Sequence, residues 1–260
     1  MLVDRDTGLV GDTTLGVSWL KDAGLVKSSC EANDTLWQAF DPESVPGSSG
    51  RTKAQICGLE GRLNWYEAQA WIALLNARNY LGYNDWRLPV VGPVNGVRFE
   101  YRFVYDGSTD LGYNISAPGS AYPGSTSSEL AHLHYSGLHN GGWYAPDGTN
   151  QQDRVCPVPR YCVQNTGPFH NLQPFQYWSG TEVDSVPTHA WLFSTYNGFQ
   201  YHADKAGFMN VWPVRSGLPG ISPIAVPALD FQALLLTGIA LLALAAGGLS
   251  RQRKDQSGVR

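Results

Sequence analysis

Charge is scarce in this chain of 260 residues: Asp, Glu, Lys and Arg make up 15%, against about a quarter in average soluble domains. The shortage is not the mark of a disordered chain, because apolar and aromatic residues are abundant enough to build a core. No excess of positive charge exists either, the formal net charge being −4. A nucleic-acid binder, which needs a basic face to neutralise phosphates, is thereby disfavoured. No Gly-X-Y period and no sustained heptad occurs, so collagen-like and coiled-coil classes fall away. Also missing are the G-x-S-x-G elbow, the H-E-x-x-H zinc helix and a glycine-rich phosphate loop. The start lacks the apolar run of a signal peptide: Met1-Leu2-Val3 gives way at once to Asp4, Arg5 and Asp6.

What is present divides unevenly. All nine Trp and all thirteen Tyr lie before Gly217. Acidic residues outnumber basic ones there, and the balance reverses beyond it. The reading is an aromatic domain over 1–217, a Pro/Gly-rich linker over 218–230, a transmembrane helix over 231–249 and a basic tail over 250–260. Phe231 to Leu249 carries no charge and would span roughly 28 Å as a helix, close to the hydrocarbon thickness of a bilayer. A buried core helix would show a polar face, and only Gln232 and Thr237 interrupt this run. Arg251, Arg253 and Lys254 follow, so the positive-inside rule puts the tail in the cytoplasm and the N-terminal domain outside. Export of that domain requires a signal peptide, which is expected upstream of the sequence given.

An exported domain favours disulfides. Four Cys allow three pairings, and the simplest is local, Cys30 with Cys57 and Cys156 with Cys162. Metal binding is the rival, although neither C-x-x-C nor Cys/His ligand spacing is present.

The clearest helix starts at Asn64, where Glu67 completes a capping-box pattern. Trp65, Ala68, Trp71, Ile72 and Leu75 line one face at helical spacing. A second helix is predicted from Ser128 to Leu138, capped by Ser127 or Ser128. Strands are predicted between Tyr177 and Val214, with Asn197-Gly198 as a hairpin turn. Val211 to Arg215 reads as a closing strand, placed at a sheet edge because Pro213 lacks an N–H. Val90 to Ser127 and Asn140 to Pro174 read as long loops, where binding functions often reside.

The run Gly61-Arg62-Leu63-Asn64-Trp65-Tyr66-Glu67-Ala68, continued by Gly82-Tyr83-Asn84-Asp85-Trp86-Arg87-Leu88-Pro89, resembles the Lcl C-terminal domain family of bacterial surface proteins. Ser128-Glu129-Leu130-Ala131-His132-Leu133, Tyr177-Trp178-Ser179-Gly180-Thr181-Glu182, Ala190-Trp191 and Val214-Arg215 extend the likeness over most of 1–217. After Pro89 the sequence departs from the family, running into Val90-Val91-Gly92-Pro93 where a Thr and a helix are common. The Trp-x-Glu-Ala helix followed by Arg-Leu-Pro is more distantly similar to sulfatase-modifying-factor and C-type-lectin-like folds. The fold this implies is α+β, with irregular antiparallel sheets, a few helices and long loops. Trp65, Asp85, Trp86 and Arg87 carry the structural motif, and Asp85 with Arg87 is expected to form a buried pair fixing the turn from helix to sheet, with ligand holding as the alternative. The tail resembles an IPTL-CTERM sorting signal, with Val226-Pro227-Ala228-Leu229 as its motif. That likeness implies a sorting protease as a partner; a permanent membrane anchor is the alternative.

Ring-rich loops and the lectin-like resemblance together suggest a cell-surface module that binds glycans or matrix polymers in adhesion. Trp143, Tyr144, Trp178, Trp191 and Tyr196 are the candidate stacking rings. No catalytic residue is assigned and no cofactor is expected. An irregular calcium site at Asp106-Gly107-Ser108-Thr109-Asp110 stays open, although the spacing and closing Glu of an EF-hand are missing. His132 and His134 stand two apart on a predicted helix, which points them in different directions and disfavours a shared zinc. A formylglycine-generating type of oxidising enzyme is the catalytic alternative, and it would need a reactive thiol among the four Cys. A structural envelope or biofilm component is the third reading.

Overall fold

A computed structural model describes residues 1–219 apart from Asp6. The expected transmembrane helix, the sorting motif Val226–Leu229 and the basic tail lie outside the described residues. Among the described residues no helix is long and apolar enough to cross a membrane.

The architecture is α+β. The chain enters through β1 (Leu2–Asp4), β2 (Leu9–Asp12) and β3 (Val17–Leu20), three antiparallel strands. Three short helices follow, α1 (Leu25–Ala32), α2 (Thr35–Ala39) and α3 (Lys53–Gly58). Then come the main helix α4 (Trp65–Ala77) and the two-residue strand β4 (Trp86–Arg87). The middle of the chain holds β5 (Phe103–Val104), β6 (Leu111–Tyr113), α5 (Glu129–His132) and α6 (Gln152–Val155). The longest strands come last: β7 (Gln176–Glu182), β8 (His189–Ser194) and β9 (Phe199–Asp204), before β10 (Val214–Ser216). They form two five-stranded sheets, ordered β1-β2-β3-β10-β4 and β5-β6-β9-β8-β7. Every pairing is antiparallel except β5 with β6.

Helix α4 forms where its sequence signals placed it. Asn64 Oδ1 accepts the Glu67 main-chain N–H at 2.8 Å, and Glu67 Oε2 accepts the Asn64 N–H at 2.8 Å. Two donors that a helix start leaves unpaired are thereby satisfied. Arg51 reaches the same carboxylate at 2.8 Å. Burial raises the Glu67 carboxyl above its ordinary range, against the pull of the Asn64 N–H and Arg51. Trp65, Ala68, Trp71, Ile72 and Leu75 are all buried. The indole N–H of Trp65 donates to Ser179 O at 2.9 Å, and that of Trp178 to Leu63 O at 3.0 Å. The two rings thus tie the helix start to β7, satisfying polar handles that burial would otherwise orphan. Trp19 and Trp212 pack at 5.2 Å, tilted by 54°, in the same core, and Trp212 Nε1 donates to Leu20 O.

Both disulfides have the local pairing, Cys30–Cys57 and Cys156–Cys162, and no free cysteine remains among the described residues. The hairpin at Asn197-Gly198 also forms, joining β8 to β9. Gly198 takes φ +79° there, and an added Cβ would sit 2.3 Å from the Tyr135 hydroxyl. That hydroxyl donates to Gly198 O at 2.6 Å, so the turn needs glycine for both conformation and space.

Three expectations are corrected. The closing strand is not at an edge: β10 lies between β3 and β4. Pro213 sits one residue before the strand, and its carbonyl still accepts from Leu20 N, so its missing N–H leaves the ladder intact. Asp85 and Arg87 do not pair with each other. Arg87 grips Glu129 through two bonds of 2.7 Å, while Asp85 accepts from Arg215 at 2.7 and 3.0 Å. Each ion pair therefore clamps β4 to a distant segment. The second helix does form over its predicted span, as a single α-turn capped by Ser128 that continues as a π-turn over Leu133–Gly137. The stretch Val90–Ser127 is not all loop, since it supplies β5 and β6.

Candidate functional site

The sequence-derived rings separate by burial. Trp178 and Trp191 are both 0% exposed. Trp178 is committed to the α4 contact, and Trp191 lies beneath Phe99 and Tyr101, stacked at 5.3 and 5.6 Å. Neither can offer a face to a ligand. The physical reason is simple: the largest apolar side chains gain most from full burial, and the centre of a sheet provides it. Trp143, Tyr144 and Tyr196 are half-buried. Trp143 packs on Tyr196 at 5.2 Å and Tyr196 on Tyr161 at 4.2 Å. Tyr144 belongs to a different and larger group.

That group is an aromatic platform at the outer end of the second sheet. Phe103, on the outermost strand β5, is 44% exposed. Its ring centroid lies 4.9 Å from Tyr105, 6.2 Å from Tyr113 and 5.9 Å from Phe199. Tyr105 and Tyr113 are stacked at 16° between planes, and Tyr144 contacts both, at 4.8 and 5.0 Å. Phe199 stacks on Tyr201 at 5.1 Å. Only Tyr113 is buried among these six. Burial, then the neighbouring Tyr144 and Tyr105, pushes its hydroxyl up to about 12. The platform is positioned by register: Phe103 pairs with Leu111 and Tyr113 with Phe199, so these rings share one face.

A shallow groove of about 300 Å³ runs beside it, lined by Arg102, Phe103, Val104, Tyr105, Asp106, Pro146 and Asp147. The two carboxylates sit in tight turns. Asp106 Oδ1 accepts from Ser108 N and Oγ, and Asp147 Oδ1 accepts from Thr149 N at 2.8 Å. Those hydrogen bonds hold both acids below the usual carboxylate range. The groove thus combines flat apolar faces with fixed anionic acceptors and one exposed guanidinium.

The calcium-like segment is used otherwise. Asp110 turns Oδ1 to Val94 N at 2.7 Å and Oδ2 to Glu100 N at 2.8 Å, so both its oxygens hold the irregular segment that precedes β5. His132 and His134 also point apart. His132 Nδ1 donates to Ser125 O at 3.1 Å, and His134 Nε2 donates to Gly141 O at 2.9 Å. Among the described residues no three His, Cys, Asp or Glu side chains gather closely enough to hold a metal ion.

Sequence reasoning missed Phe103, Tyr105, Phe199 and Tyr201 as site residues. A signal existed: Phe99, Tyr101, Phe103 and Tyr105 recur with strict period two, the alternation of a strand. The surrounding Gly, Pro and Ser concealed it.

Comparison with family models, with curated proteins and with solved structures gives no match for this chain.

Proposed function

We propose that the domain over 1–217 is a non-catalytic cell-surface module that binds glycans or matrix polymers through the platform of Phe103, Tyr105, Tyr144 and Phe199. The observation that carries this reading is the half-exposed ring cluster beside a groove edged by Asp106, Asp147 and Arg102. A pyranose ring has an apolar C–H face and a rim of hydroxyls. Aromatic planes take the first and ionised carboxylates accept from the second. Two disulfides fit an exported domain, and the uncharged stretch 231–249 with its basic flank supports a membrane-attached or sorted product with this domain outside.

The lectin-like fold and the Lcl and IPTL-CTERM assignments belong to the same proposal, resting on the sequence motifs. The oxidising-enzyme alternative has less support, since both cysteine pairs are closed in disulfides. Binding to an array of neutral and sulfated glycans tests the proposal. Retention of at least one saccharide class is expected, and silence across the array would overturn it in favour of a purely structural envelope role.

A further inference from the structure

Two histidines that the proposed function does not use meet on the β8–β9 hairpin. The ladder pairs His189 with Asp204 and Trp191 with His202, so the two imidazoles lie diagonally across adjacent strands. Their Nδ1 atoms stand 2.9 Å apart, with ring centroids at 5.1 Å. Among the described residues neither ring nitrogen of either side chain has another hydrogen-bond partner. His202 is held in place by the edges of Trp191 at 5.4 Å and Tyr101 at 5.8 Å. Both histidines are half-buried, not enclosed.

We infer that His189 and His202 form a two-nitrogen chelating site for a tetragonal divalent metal ion, Cu(II) above all. Ligand chemistry, not spacing, decides the class. Two nitrogens about 2.0–2.1 Å from one ion and at a right angle stand about 2.9 Å apart, whereas a tetrahedral angle separates them by about 3.4 Å. The observed 2.9 Å is the length of the hydrogen bond that the two rings share without metal, and small ring rotations reach either spacing, so both nitrogens can converge on one ion. Imidazole is a ligand that Cu(II) favours, and affinity for divalent ions peaks at Cu(II) in this series. Among the described residues no third His, Cys, Asp or Glu joins the pair, so the remaining equatorial positions fall to water, which the partial exposure of both rings allows. One further feature prepares the site: the antiparallel ladder fixes the strands on which both ligands sit. Without metal, the same pair is held by one Nδ1–H donating to the other Nδ1.

Electron paramagnetic resonance of the untagged full chain in mild detergent, titrated with Cu(II), tests this. One tight equivalent with an axial spectrum and splitting from two nitrogens is expected. His189→Gln and His202→Gln should each weaken that site at least about tenfold and reduce the splitting to one nitrogen, while His170→Gln changes nothing. Thermal melting of the metal-free variants separates lost ligation from lost folding. Absence of a one-equivalent site, a spectrum unaltered by both substitutions, or zinc binding tighter than Cu(II) in competition would each overturn the inference.

Discussion

Lowering the pH should unfold this domain partly through one residue, His134. Its side chain is 3% exposed, packed against Tyr135 at 4.9 Å and Phe193 at 5.1 Å. Burial pushes its pKa down from the ordinary 6.5 to about 4, against the opposing pull of the bond to Gly141 O. The unfolded chain therefore takes up a proton near 6.5 that the folded chain refuses until about pH 4. Stability from this group is complete above 6.5 and drains away as pH falls through that window. At about 1.4 kcal/mol per pH unit, the loss by pH 4 is about 3 kcal/mol, a large part of a typical domain's margin. Glu67 has the opposite sign, because its raised pKa lets the folded state bind a proton earlier. A variant is thus needed to isolate the histidine. His134→Gln keeps an N–H that can reach Gly141 O and removes the titration. Urea unfolding of both proteins across the window is the assay. The wild-type curve should fall towards that of the variant by about 3 kcal/mol between about pH 7 and pH 4. Parallel stability profiles would refute the reasoning.

Other expectations concern the frame that holds the platform. Arg87→Met leaves Glu129 mostly buried without its guanidinium; a loss of about 2–3 kcal/mol is expected from denaturant midpoints, discounted for the partial exposure of Arg87. Asn64→Ala removes the cap of α4 and the bond to Gly47 O, and should cost about 1–2 kcal/mol in the same assay. Opening Cys30–Cys57, which spans a sequence separation of 27, should cost about 3.5 kcal/mol by the chain-entropy argument. Comparing the melting of Cys30→Ala/Cys57→Ala with the parent checks it.

Local signals made α4, its capping box, the hairpin at Asn197-Gly198 and both disulfides legible in the sequence, because each depends on residues close along the chain or on a simple pairing. The partners of Asp85 and Arg87 were not legible. Glu129 lies 42 positions from Arg87 and Arg215 lies 130 from Asp85, so only the tertiary fold, through helix α5 in one case and the β4–β10 pairing in the other, brings them together. The position of β10 was misjudged because a proline argues against a central strand only when it lies within the paired segment, and Pro213 lies just outside it. Trp178 and Trp191 looked like ligand-stacking rings because their type suits both a core and a binding surface. Burial, which depends on every other segment, decided between the two. His189 and His202 become neighbours only once the register of β8 on β9 is known.

The central claim is that saccharide polymers are held by the ring platform. Its most direct measurement is the affinity of a retained glycan for Phe103→Ala and Tyr105→Ala, set beside Tyr122→Ala, whose ring is 40% exposed but outside the platform. Truncating an anchoring ring should cost at least about 1 kcal/mol, roughly fivefold in affinity, at Phe103 and Tyr105 and nothing at Tyr122. Equal affinity for all three variants and the parent would contradict the account.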